Sequence, residues 1–153
     1  MVLRCNWQGK AYLFLPEVAT RFIGHGTAPV HSPNMPGTPR VSVLFGGDGD
    51  EPADVGMVIV EVPPGAGMPP HRHHGSDVIL VPIRGAVRVT KDEDGVDVRV
   101  GDALLIDKDE AVGLTNTGDE VAELIVAAGP PAFVTTVSRW PLAEVAAEPV
   151  TPR

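Results

Sequence analysis

An all-β sandwich or barrel is the fold class this sequence predicts, and three observations predict it. Short apolar or alternating runs recur along the whole chain, each bounded by turn residues. The 153 residues include 17 glycines and 16 prolines, which leave few stretches long enough for a helix. No heptad pattern or internal repeat offers a helical alternative.

Taken in order, residues 11–15 and 20–23 are short apolar runs suited to strands. Residues 24–39 carry glycine, proline and serine without periodicity, which marks a lid or an arm. Residues 40–45 alternate as a strand, and residues 46–52 form an acidic turn. Residues 57–62 form a strand that ends at the Pro/Gly-rich turn Val62-Pro63-Pro64-Gly65-Ala66-Gly67-Met68-Pro69-Pro70. Val78-Ile79-Leu80-Val81 is apolar on both faces, so it reads as a buried strand. Residues 86–90 and 96–100 alternate on either side of Asp94-Gly95, a favoured hairpin pair. Residues 103–106, 111–115, 121–127 and 133–137 supply further strands. Leu142 to Ala147 has the composition of one short helix before a frayed end. These elements divide into N-terminal strands and an arm over residues 1–50, a barrel over 51–138 and a C-terminal tail over 139–153.

Composition excludes several function classes. The net charge of −8 and pI near 4.9 disfavour a nucleic-acid partner, which needs a basic patch, and the basic residues form no run. No apolar stretch approaches the roughly 20 residues of a membrane span. The N-terminus lacks the basic start and long apolar middle of a signal peptide. The single cysteine, Cys5, makes no internal disulfide and carries no nucleophile signature, so the expected compartment is the cytoplasm.

The densest functional signal is His71-Arg72-His73-His74, directly after the Pro/Gly-rich turn. In an extended strand residues i and i+2 share a face, so His71 and His73 project together and His74 points away. Two imidazoles on one face can hold a metal ion, and Asp77 lies four residues on to complete a three-ligand face. The plainer alternative is a solvated histidine-rich turn.

The spacing Gly65, five residues, His71-x-His73, three residues, Asp77 and an apolar run to Gly85 resembles the first motif of the cupin superfamily. Gly101 to Asn116 resembles the second motif in spacing. The family's Pro, Gly and metal-binding His fall on Asp107, Asp109 and Val112 here. The first motif's Glu falls on Asp77 or, with four intervening residues, on Val78; a bulge at Pro82 favours Asp77. The resemblance covers roughly residues 56 to 128 and implies a jelly-roll, or double-stranded β-helix, barrel with His71, His73, Asp77 and Val112 facing inward.

It further implies a divalent metal ion (iron, zinc, nickel or manganese) on His71, His73 and Asp77, with open positions for substrate, or no metal at all because Val112 replaces the fourth ligand. The expected function is a small-molecule enzyme acting inside the barrel as an oxygenase, isomerase or cyclase, with His71 and His73 as catalytic residues. The alternatives are a ligand-binding or sensing barrel without turnover, and a metal-free lyase or cyclase with a histidine base. A homodimer is the assembly common in the family. His25 and His31 lie in the arm as possible replacement ligands. Arg84 and Arg88 flank Gly85, where one could bind a carboxylate.

Overall fold

The computed structural model describes residues 2–5, 11–14, 20–50 and 52–144. Among them the chain forms β1 (Val2–Cys5), β2 (Ala11–Phe14), β3 (Arg21–Phe22), β4 (Val30–His31), β5 (Arg40–Phe45), β6 (Gly56–Val62) and β7 (Gly67–Arg72). There follow β8 (Asp77–Arg84), β9 (Ala86–Lys91), β10 (Asp94–Arg99), β11 (Leu104–Ile106), β12 (Ala111–Thr115), β13 (Ala122–Gly129) and the helix α1 (Ala132–Val137).

β1, β2 and β3 make a small sheet of their own. The remaining strands form two antiparallel sheets, ordered β10-β9-β12-β7 and β11-β8-β13-β6-β5-β4. Together they are the jelly-roll barrel that the strand pattern and the motifs predicted. Strict alternation builds the core: β13 buries every second residue, and Leu124 and Val126 meet Val58 and Val62 of β6 and Val78 and Leu80 of β8. The four-stranded sheet contributes Val87, Val89, Val98 and Val112. The β-branched character of these positions suits a pleated, buried surface.

Two irregularities aim the histidines. β7 is an edge strand, and Pro69 and Pro70, which supply no N–H to a ladder, are tolerated there. In the β7–β12 ladder Met68 pairs with Leu114 and His71 with Val112, so two residues of β7 oppose the single Gly113. This bulge leaves both prolines exposed and returns His71 to the inner face beside Met68. Gly67 is required on the same strand, because a Cβ there would collide with the carbonyl of Leu114 and lie 3.0 Å from Thr115 Cα. The bulge expected at Pro82 sits next to it: the β8–β13 register shifts where Glu123 pairs with Arg84 and Leu124 with Pro82.

The structure departs from the sequence expectation in several places; residues 67–70, expected in a turn, already belong to β7. Residues 133–137, with their strand-like valine and threonine, belong to α1. Pro131 opens that helix, and Val134 and Val137 bury one face three residues apart. The β9–β10 turn falls at Asp92-Glu93, two residues before the favoured Asp94-Gly95 pair, and Asp92 takes the positive φ of 53°. Part of the apparent loop at 24–39 is the short strand β4. Leu142 bridges to His31 instead of starting a helix; residues 145–147 of that expected helix lie outside the described residues. No helix among the described residues is long and apolar enough to cross a membrane.

Candidate functional site

A cavity of about 210 Å³ lies between the two sheets. Its walls are valine, leucine and isoleucine side chains, interrupted on β7 by His71 and on the turn after it by His73. Among the described residues Arg72 and Thr136 also line it, and no aspartate, glutamate or lysine does. An apolar hollow with a few convergent polar groups is the usual form of a small-molecule site.

The two rings touch edge to face, with centroids 4.8 Å apart and planes at 88°, and their Nε2 atoms are 3.2 Å apart. His71 Nδ1 lies 2.9 Å from the Pro69 carbonyl oxygen. An oxygen of that kind only accepts, so this nitrogen carries the proton and His71 Nε2 is a bare lone pair. His73 Nε2 must then be the donor to it. His73 Nδ1 is left as a lone pair, buried and without a partner. His73 is 7% exposed, and Phe133 of α1 packs edge-on against it at 4.7 Å.

Burial, and secondarily the charge that His71 can carry, lower the pKa of His73 from 6.5 to about 4. The unfolded chain therefore binds the extra proton between those values, and the native state does not. Stability is expected to fall as pH drops from 7 to 4, with His73 responsible for up to about 3 kcal/mol. The contribution fades out as pH rises past about 7. Urea midpoints measured across that range should slope less in His73→Leu than in wild type; parallel curves would show that the ring carries no such penalty.

A hydroxyl that sequence reading passed over holds this arrangement in place. Ser76 is wholly buried; its Oγ donates to the Pro130 carbonyl at 2.6 Å and accepts from Phe133 N–H at 3.0 Å. It thereby pins the start of α1 to the histidine turn and sets Phe133 on His73. Thr136, Val137 and Trp140 complete the wall on that side. These residues were missed because 133–137 reads as a strand; Pro130-Pro131 followed by valines three apart is the signal that could have found the helix. The tail beyond α1 is clasped by the arm. His31 Nδ1 donates to the Trp140 carbonyl at 2.9 Å, Ser32 N–H to Pro141 O at 3.0 Å and Ala143 N–H to Val30 O at 2.8 Å.

The other residues singled out from the sequence have different places. Asp77 is not brought to the imidazoles. It opens β8, where Val78, Leu80 and Pro82 alternate inward, so its side chain faces solvent and accepts the Lys108 N–H at 2.9 Å. Val112 does face the cavity, directly across the ladder from His71. His74 is exposed, 3.4 Å from Asp109. His25 is exposed, and His31 serves the clasp. Arg88 pairs with Asp97 on the outside of the β9–β10 hairpin, and neither it nor Arg84 lines the cavity.

The divalent ion implied by the motifs is tested by this donor set. Two Nε2 atoms 3.2 Å apart suit one edge of a coordination sphere. Val112 offers nothing, Asp77 faces away, and no group of three or more histidine, cysteine, aspartate or glutamate residues among the described residues could hold a metal ion. Catalytic metal centres use three protein ligands, so this donor set does not fit a retained metal centre.

Residues 58–128 match the family model of the cupin domain. No curated protein matches the sequence significantly. Solved structures share the fold. The cupin domain of Cnp3 from Schizosaccharomyces pombe superposes with a TM-score of 0.54 at 17% identity, over 60% of this chain and 64% of that one. Oxalate oxidase in complex with the substrate analogue glycolate gives 0.62 at 20% identity, over 78% of this chain and 65% of that one. An RmlC-like cupin from Shewanella frigidimarina gives 0.58 at 16% identity, over 71% and 89%. The chain thus spans slightly less than two thirds of the first two.

Proposed function

We propose that this protein is a small-molecule enzyme of the cupin type that takes a small, mainly apolar organic compound into its barrel and acts on it with the His71–His73 pair without a resident metal. One observation carries this reading: two contacting imidazoles stand together in a cavity whose other walls are mainly apolar. His71 Nε2 is a lone pair able to take a proton from a bound compound, and His73, kept neutral by burial, orients it. The apolar walls exclude water and strengthen those contacts.

The test has two arms. Calorimetry with cyclohexanol and cyclohexanone as probes should detect binding that is lost when Val112→Phe fills the cavity. Protein purified without chelator should carry less than about a tenth of an equivalent of metal. Binding that survives the filled cavity would move the site elsewhere. A stoichiometric ion removed by His71→Leu would replace the metal-free mechanism with the metal-dependent oxygenase, isomerase or cyclase that the motifs implied. The 3.2 Å separation of the two Nε2 atoms is what favours this second reading.

A further inference from the structure

The hydrogen-bonding state of the imidazole pair is fixed by its surroundings, and that state selects the chemistry of the group that can dock on it. Pro69 O holds the proton of His71 on Nδ1, so His71 presents an acceptor and His73 presents a donor, 3.2 Å apart. The opposite arrangement would leave a protonated Nδ1 of His73 buried with no acceptor, which costs more than a buried bare lone pair.

An oxygen that approaches both nitrogens at the usual hydrogen-bond distance of about 2.8 Å completes a triangle over this edge. A carbonyl or ether satisfies only the donor and leaves the lone pair of His71 desolvated. A carboxylate adds repulsion against that lone pair, and the one guanidinium among the described lining residues, Arg72, already donates to the Asp109 carbonyl. An ammonium group serves the acceptor alone, with no carboxylate on the walls to accompany it. A hydroxyl is both donor and acceptor through one atom.

We infer that the ligand of this cavity carries a hydroxyl group, alcoholic or phenolic, on an apolar body, with its oxygen lying across His71 and His73. This inference deepens, and rests on, the reading of the barrel as a small-molecule site. The O–H donates to His71 Nε2 and the oxygen accepts from His73 Nε2. If the group reacts, the first proton to move is the hydroxyl proton, to His71. The cavity of about 210 Å³ has room for a six-membered ring, since one of ~150 Å³ admits benzene.

Cyclohexanol and cyclohexanone have nearly the same size and differ in this group alone. At about pH 8, where ordinary imidazoles are neutral, calorimetry of the wild-type protein is expected to give an affinity for the alcohol about tenfold above that for the ketone. In His71→Leu the two affinities should converge. Nitrogen-15 NMR of the histidine rings gives a readout that needs no variant: His71 should be protonated at Nδ1 and His73 at Nε2. A ketone bound as tightly as the alcohol, or a proton on His73 Nδ1, would overturn the hydroxyl assignment while leaving the barrel a ligand site. Binding of neither probe would overturn both.

Discussion

Val112→His is expected to raise the affinity of the cavity for a divalent metal ion sharply. Val112 is buried, lines the cavity and pairs directly with His71 across the β7–β12 ladder. Directly opposed side chains have their Cβ atoms about 5 Å apart. A third imidazole there would join two Nε2 atoms already 3.2 Å apart and supply the three protein nitrogens of an open catalytic centre. Titration with cobalt at about pH 8 should show at least a roughly 100-fold gain in affinity over wild type and the visible absorption of a four- or five-coordinate ion. Removing His73 in the same background should reverse the gain. An unchanged cobalt affinity would mean that the pair is turned away from position 112, and the geometry of the site would need revision.

Leu124→Ala should carry the largest stability cost of the cavity-wall truncations. Leu124 is fully buried at the centre of β13, packed between β6 and β8, and one side of it faces the cavity. Losing it costs about 3 kcal/mol, in the range for buried leucine truncations, and lowers the melting temperature by roughly 10 °C. The deleted volume joins the existing hollow. Saturating cyclohexanol is therefore expected to raise the melting temperature of the variant more than that of wild type, through preferential binding to the native state. A loss below about 1 kcal/mol would show that the wall collapses to fill the gap.

Much of the barrel was legible in the sequence because alternation is strict where one face is buried. Val87 and Val89, Leu124 and Val126, and Val58 and Val62 all follow it. His71 and His73 share a face by the same rule, although a bulge at Pro69-Pro70 first resets the alternation. Legibility failed where tertiary context overrode local preference. Phe133-Val134-Thr135-Thr136-Val137 has strand-forming composition, yet a proline start and the anchoring Ser76 make it helical. Asp77 was misplaced because motif spacing counts residues and not faces; β8 turns that carboxylate outward in order to bury Val78 and Leu80. Trp140 joins the cavity wall through contacts with residues more than a hundred positions earlier, a separation that no local pattern encodes.

The clasp between residues 30–32 and 140–143 makes Trp140 a shared part, held by its backbone to the arm and by its side chain to the cavity. A compound in the proposed site would therefore touch the same residue that joins residues 30–32 to residues 140–143. With Trp7 replaced by phenylalanine, its intrinsic emission would gauge both occupancy of that site and opening of the clasp, without any label.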